Sequence, residues 1–145
     1  MLEAFVFVGN AIIESGACLI IVLAPEQLFP QLKGADFLAV SDYHSPMELC
    51  RFWGAAIGAL VVMNTACVFD SQASYGKRAV AMGMVVYHTA ITYFMAQRVL
   101  HFPAVGGVAQ EYMAHVGVCG IHTFMGGLTS YWLLTSRATP KSKLF

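Results

Sequence analysis

The sequence predicts an all-α integral membrane protein, a four-helix bundle with both termini in the cytosol. Composition indicates a membrane protein, because hydrophobic residues make up 58% of the 145 residues and charged residues only 11%. A soluble domain carries about twice that share of charge. Four segments are long enough to cross a hydrocarbon core, which takes roughly 20 residues. They form one transmembrane domain and lie at about 4–24, 49–69, 79–100 and 110–134.

The first segment is predicted to be a retained membrane helix rather than a signal peptide. A signal peptide begins with a basic region, whereas this segment carries Glu3 there, and Glu14 interrupts its apolar run. An unpaired carboxylate at that depth costs several kcal/mol. Glu14 therefore calls for a partner on another helix.

Capping residues and prolines mark the segment ends. In "SPME", Ser45 is the expected N-cap, Pro46 the first helical residue and Glu48 the third, which is a capping box opening the second segment. Prolines follow the first, third and fourth segments at Pro25, Pro103 and Pro140.

The connection at 25–47 is the longest, and it alternates apolar with charged residues. This pattern is typical of a segment lying in the membrane interface. It fits a lid over the outer end of the bundle and an inert connector equally well.

Basic residues orient the predicted bundle, because they concentrate on the cytosolic side of membrane proteins. Five of the eight lie between the second and third segments or after the fourth: Lys77, Arg78, Arg137, Lys141 and Lys143. The opposite side carries the other three, Lys33, Arg51 and Arg98. Both termini are therefore predicted to be cytosolic.

Small residues predict close helix packing. The run "GAAIG" in the second segment, with Gly54 and Gly58, is typical of helices that approach closely in a membrane. Four cysteines stand singly without a C-x-x-C pair, which favours buried small residues over a thiol–disulfide enzyme: Cys18, Cys50, Cys67 and Cys119.

Nearly all strongly polar residues inside the segments share one stripe on each helix when projected at 100° per residue. Charged groups at membrane depth turn towards other helices, so the stripes are predicted to converge. In chain order they are Glu3, Phe7, Asn10, Glu14, Cys18 and Ile21; Arg51, Ala55, Gly58, Val62 and Thr65, with Asn64 pointing elsewhere; Met84, His88, Thr92 and Met95; and Glu111, His115, Val118, His122, Gly126 and Thr129.

Depth separates the polar residues into two layers. Glu14, His88 and His122 each fall near the middle of a segment, so they are predicted to meet as a catalytic acid/base group. The second layer, near the outer ends, is either a substrate mouth or an ion-pair collar. The candidate substrate-binding residues are Asn10, Arg51, Thr92, Arg98, Glu111 and His115. Structural roles stay open for all of them, with Asn10 as an interhelical hydrogen-bond partner and the histidines as satisfied core residues.

Three functions compete at this point. An acid, a base and an apolar pocket suffice to isomerise or cyclise a terpenoid, polyketide or sterol, and the chain has no nucleotide motif. No cofactor and no metal are predicted for that enzyme. The histidines would also suit bis-His haem, or a metal together with Glu14, but neither C-x-x-C-H nor H-E-x-x-H is present. A non-catalytic accessory subunit, of a redox complex for example, is the third hypothesis.

One family resemblance supports the fold. "LAPEQLF" after the first segment and "ELCRFWGAAIGAL" at the start of the second resemble small four-helix membrane proteins of the DoxX-like type. The resemblance covers about residues 9–60 and makes Arg51 and Gly54 the matching positions. It implies four spans, and it implies little about activity because such proteins are mostly uncharacterised or assigned as accessory redox subunits.

The expected partners follow from the class. They are a hydrophobic small-molecule substrate, the lipid bilayer, and either a second copy of the chain or a partner membrane protein. The net charge of zero gives no reason to expect nucleic acid. The expected location is a multi-pass position in the endoplasmic reticulum or plasma membrane.

Overall fold

The computed structural model describes residues 1–24, 46–70, 74–101 and 109–136, and the regular structure in these ranges is entirely α-helical. The helices follow the four predicted segments closely. They are α1 (Leu2–Leu23), α2 (Pro46–Phe69), α3 (Tyr75–His101) and α4 (Ala109–Thr135).

Two helix starts show how the local sequence sets the boundaries. Pro46 opens α2, as the capping pattern predicted. Helix α3 begins four residues earlier than the predicted 79, because Ser74 caps it: the Ser74 hydroxyl accepts a hydrogen bond from the Lys77 amide at 3.1 Å. The predicted interfacial segment and the Ser45 cap lie outside the described residues, apart from the first residues of α2.

Three helices are long and apolar enough to cross a membrane: α1, residues 52–69 of α2, and α3. Their large apolar side chains are widely exposed, as lipid-facing side chains are. The chain is therefore a multi-pass helical membrane protein. Helix α4 equals α3 in length at 27 residues but is not among these three.

The chain divides into two compact units, Met1–Val6 with Asp70–Phe145, and Phe7–Phe69. In the second of these, which we call the α1–α2 unit, Gly54 allows close approach of the two helices. A methyl group at Gly54 would lie 2.6 Å from Val22 Cγ2, and the Cys18 thiol donates to the Gly54 carbonyl oxygen at 3.2 Å. The predicted role of this small-residue patch is confirmed at Gly54.

The predicted polar stripe of α2 was wrong. Ala55, Val62 and Thr65 are exposed, whereas the buried positions of the helix include Gly54, Ile57, Asn64 and Cys67. Exposing Val62 to lipid costs little, because lipid tails are as apolar as its side chain. The exposed Thr65 hydroxyl donates a hydrogen bond to the Val61 carbonyl oxygen of its own helix at 2.8 Å. The Asn64 side chain is buried, and its amide donates to the Leu60 carbonyl oxygen at 2.9 Å.

The close contact at Gly54 predicts how substitutions there change stability. Gly54→Ala is expected to lower the unfolding free energy in detergent by about 1–3 kcal/mol, because the new methyl group overpacks against Val22 and Ile21. Gly16→Ala on α1 is the matched control, since its methyl group meets nothing within 4 Å and removing a helical glycine stabilises by up to ~1 kcal/mol. Thermal unfolding followed by circular dichroism measures both, and equal shifts would contradict the packing assignment.

The other unit, the α3–α4 unit, pairs α3 with an antiparallel α4. Arg78 meets Ser136 at one end of the pair, where its Nη1 donates to the Ser136 carbonyl at 2.5 Å and hydroxyl at 2.9 Å. Further along, the Thr123 hydroxyl donates to the Thr92 hydroxyl at 3.4 Å. Residues later in α3 therefore contact residues earlier in α4, as in an antiparallel pair.

The first turn of α3 buries a lysine, which the sequence had placed outside the helix. Lys77 is 2% exposed, and its ammonium contacts the Glu3 carboxylate at 2.5 Å and the Asp70 carbonyl oxygen. A cation at a helix N-terminus opposes the helix dipole, so the Glu3 charge offsets both that repulsion and the burial. Residues Met1–Val6 belong to this unit, and the contact holds Glu3 beside the first turn of α3, at the end of the helix pair where α4 ends.

Candidate functional site

The candidate site is built on the midpoints of α3 and α4. His88 is the central residue of Tyr75–His101 and His122 is the central residue of Ala109–Thr135, so antiparallel packing brings the two side chains to one level. Both are buried, at 1% and 8% exposure. The predicted meeting of these two histidines in the middle of the helices is what the structure shows.

Gly126 permits this approach of the two helices. It lies one turn beyond His122 on α4, and a methyl group there would lie 3.2 Å from His88 Cβ. That distance is tighter than an ordinary Cβ contact, so a larger residue would require His88 or α4 to shift by a few tenths of an ångström. The glycine thus lets α4 pack closely against His88.

The two imidazoles are joined by a hydrogen bond between their Nδ1 atoms. The distance is 2.8 Å, with ring centroids 5.0 Å apart and ring planes inclined by 48°. Two bare nitrogens at this distance would repel and two N–H groups would clash, so one proton lies between them. One ring is therefore the Nδ1–H donor and the other is the Nδ1 acceptor.

The Tyr87 ring also contacts the histidine pair, and the sequence pattern did not indicate this. Its ring makes edge contacts with both imidazoles, at centroid distances of 5.2 Å to His88 and 5.6 Å to His122. At 100° per residue, Tyr87 lies outside the polar stripe of α3, so the stripe did not indicate it. Only its position next to His88 in the chain hinted at proximity to the site.

Thr92 lies one turn from His88 in the same interface. Its hydroxyl is the partner of Thr123, and its carbonyl oxygen accepts a long hydrogen bond from the Cys119 thiol at 3.8 Å. These contacts place the predicted substrate-binding Thr92 between α3 and α4.

The described members of the outer layer lie well away from the histidine pair. Arg98 is exposed, ten residues beyond His88, and His115 is half-buried, seven residues before His122. At 1.5 Å per residue these separations are about 15 and 10 Å along the helix axes. The side chains of Arg51 and Glu111 lie outside the described part of the structure.

Asn10 and Glu14 belong to the α1–α2 unit. Both are buried, at 0% and 1% exposure, on the same face of α1 as Phe7 and Ile21. The predicted stripe of α1 is thereby confirmed as its buried face. The predicted partnership of Glu14 with a histidine stays a prediction.

Comparison of the chain with protein-family models, curated proteins and solved structures finds no match. The resemblance to DoxX-like proteins stays a prediction for the same reason. The chemistry of the buried histidine pair is therefore the basis for any functional assignment.

Proposed function

We propose that this protein is an intramembrane acid/base enzyme that isomerises or cyclises a lipophilic small molecule such as a terpenoid, polyketide or sterol. The observation that carries the proposal is the buried hydrogen bond between His88 Nδ1 and His122 Nδ1 at 2.8 Å. Histidine is the commonest general acid or base in enzymes, because it gains and loses protons near neutral pH.

The position of the pair favours a catalytic role over a purely structural one. Membrane helices associate through small residues and short hydroxyl side chains, and Gly126 and Thr92 already provide both in this interface. Two ionisable groups at the midpoint of the helices are costly there and are functional candidates by default. Substrates that partition into lipid reach this depth without crossing water.

We also propose an acid/base role for Glu14, from its place along α1 alone. It is residue 13 of the 22 in α1 and is buried, so it falls near the middle of a helix of membrane length. A buried carboxylate there is a candidate proton carrier. We assign substrate contact to Thr92 beside the pair, to Asn10 one turn from Glu14, and to the outer residues Arg51, Arg98, Glu111 and His115.

Deuterium uptake tests the proposed function and does not require the natural substrate. Purified protein in detergent is incubated in D₂O with lipophilic ketones, enones and polyenes, and the products are analysed by mass spectrometry. We expect carbon-bound deuterium in at least one class, and we expect His122→Asn to lower its uptake by about 10² or more. Uptake no faster than in detergent alone across all classes would favour the accessory-subunit hypothesis.

Metal content separates this proposal from the metal and haem alternatives. Two nitrogens on one tetrahedral zinc lie about 3.4 Å apart, whereas the two Nδ1 atoms lie 2.8 Å apart and hydrogen-bond to each other, so a metal would have to be bound through other ring nitrogens or in another geometry. We expect the purified protein to be colourless and free of stoichiometric transition metal. Elemental analysis and the Soret region of the spectrum measure this, and a signal lost in both His88→Asn and His122→Asn would reverse the ranking.

We further propose four membrane spans with both termini cytosolic. Helix α4 measures about 40 Å at 1.5 Å per residue, and it runs antiparallel to the apolar α3. The Lys77–Glu3 and Arg78–Ser136 contacts support placing the two chain ends on one side. Terminal epitope tags in selectively permeabilised cells test this, and tags on opposite sides would indicate three spans.

A further inference from the structure

Arg78 is held at one end of the α3–α4 unit through a single nitrogen of its guanidinium. Both contacts with Ser136 are made by Nη1, which donates to the carbonyl oxygen at 2.5 Å and to the hydroxyl at 2.9 Å. Within the described residues, no group accepts a hydrogen bond from Nε or Nη2 of Arg78, and no carboxylate pairs with it. The Nε–Nη2 edge therefore keeps two parallel N–H donors, which is the geometry that binds a phosphate through two hydrogen bonds.

The depth of Arg78 corresponds to the lipid headgroups. It precedes His88, the central residue of α3, by ten residues, or about 15 Å along the axis, which is half of a hydrocarbon core of roughly 30 Å. Tyr75, three residues before Arg78, and Tyr131, nine residues after His122, lie near this depth with exposed fractions of 70% and 58%. Exposed tyrosines are typical of the interface between membrane and water. The guanidinium thus lies where a lipid phosphate lies.

An exposed apolar stripe continues from Arg78 towards the middle of the membrane. Met82 and Val86 follow Arg78 at intervals of four residues, so all three share one face of α3. Met82 is 57% exposed and Val86 is 70% exposed, as lipid-facing side chains are. A cationic donor at headgroup depth with an apolar stripe below it matches a phospholipid, which has a phosphate and acyl chains, better than a free phosphate ion.

The charge at this end of the unit favours an anionic lipid. The Lys77 ammonium pairs with the Glu3 carboxylate, whereas no carboxylate in the described ranges offsets the charge of Arg78. The sequence after Ser136 adds three basic residues and no acidic one: Arg137, Lys141 and Lys143. Basic residues next to a membrane helix attract anionic headgroups.

We infer that Arg78 is the headgroup site of an anionic glycerophospholipid that binds the lipid-facing surface of α3. The Nε–Nη2 edge donates two hydrogen bonds to the lipid phosphate while Nη1 stays on Ser136, and an acyl chain lies along Met82 and Val86. Because Ser136 already holds the guanidinium, the lipid does not have to immobilise a long side chain, which lowers the entropic cost of binding. The histidine pair takes no part in this site, so lipid binding holds or fails independently of the proposed enzymatic function.

Native mass spectrometry of the full chain in detergent tests the site. The protein is titrated with dioleoyl phosphatidylglycerol or dioleoyl phosphatidylcholine, and the dissociation constant of the first bound lipid is measured. We expect phosphatidylglycerol to bind more tightly, and we expect Arg78→Gln to weaken its binding by about tenfold or more. Equal affinity of the wild type for the two lipids would overturn the anionic assignment.

Arg78→Lys keeps the charge but cannot present two parallel donors while it contacts Ser136. We therefore expect a loss of phosphatidylglycerol affinity that is smaller than in Arg78→Gln. Thermal unfolding in lipid-free detergent shows whether each variant is folded, and Arg78→Lys supplies the test if Arg78→Gln does not fold. Binding to Arg78→Lys as tight as to the wild type would overturn the two-hydrogen-bond contact.

Arg98→Gln is the matched control for charge. Arg98 lies ten residues after His88, so it is as far from the centre of α3 as Arg78 but at the opposite end. It is exposed, and no residue in the described part of the chain holds its guanidinium. We expect its replacement to leave phosphatidylglycerol affinity unchanged. An equal loss in Arg78→Gln and Arg98→Gln would mean that the lipid responds to net charge, and it would overturn the Arg78 site.

Two further measurements identify the ligand and the residues that recruit it. Glycerol 3-phosphate has no acyl chains and should not displace phosphatidylglycerol, whereas displacement would make Arg78 a site for a soluble phosphate. A variant that combines Arg137→Gln, Lys141→Gln and Lys143→Gln should weaken lipid binding mainly at low ionic strength, because salt screens long-range attraction. Loss of binding in that variant together with full binding in Arg78→Gln would assign the lipid to the sequence after α4 and overturn the proposal.

Discussion

Glu14→Gln is expected to lower product formation by about 10² or more, the usual worth of a positioned acid or base, while the protein folds at least as stably as the parent. Glutamine keeps the shape and the hydrogen-bonding reach of the side chain but cannot carry a proton. It also removes an ionisable group that is 1% exposed, in a helix apolar enough to span a membrane. Replacing such a group with a neutral one relieves its desolvation cost.

The control for Glu14→Gln is Ser15→Ala on the next residue. The Ser15 hydroxyl donates to the Ala11 carbonyl at 2.6 Å within α1, so its loss should leave turnover unchanged. Turnover and thermal unfolding in detergent are measured for both variants. A Glu14→Gln protein that melts earlier and keeps full turnover would make Glu14 a structural residue, and the accessory-subunit hypothesis would take first place.

Breaking the histidine pair is expected to have an effect of similar size. His88→Asn and His122→Asn each place an amide close to the former Nδ1 position, so an interhelical hydrogen bond survives but no proton is carried through the ring. We expect the deuterium uptake of each variant to fall by about 10² or more with only a small change in melting temperature.

His101→Asn provides the matched control for the pair. His101 is the exposed last residue of α3, and its loss should change neither uptake nor stability. A structural pair gives the opposite pattern, with a lower melting temperature in both pair variants and uptake that follows the folded fraction. Comparing uptake per folded molecule separates the two interpretations.

Most of the fold could be predicted because it depends on local chemistry. Apolar runs of membrane length give helices, since every backbone N–H and C=O group must be satisfied within the bilayer. The four segments differ from α1, α2, α3 and α4 by four residues at most. The start of α3 was missed because Ser74 caps the helix together with the Asp70 carboxylate, which accepts from the Ser74 hydroxyl at 2.6 Å.

The sequence by itself determined the membrane class, the four helices, the buried stripe of α1 and the central depth of His88 and His122. Each of these follows from hydropathy and a 3.6-residue period. It did not determine which face of α2 is buried, because apolar residues lie on every side of that helix and no face stands out as more apolar than the others. Only tertiary packing turned Asn64 inward there and left Val62 exposed.

Tertiary structure alone also decided the chemistry of the α3–α4 unit. The shared proton between His88 and His122, the Tyr87 ring beside them and the Gly126 contact depend on the rotation and spacing of two helices. The burial of Lys77 against Glu3 joins residues 74 positions apart. Such contacts arise from side chains that meet across helices, and a pattern read along one helix carries no information about its neighbour.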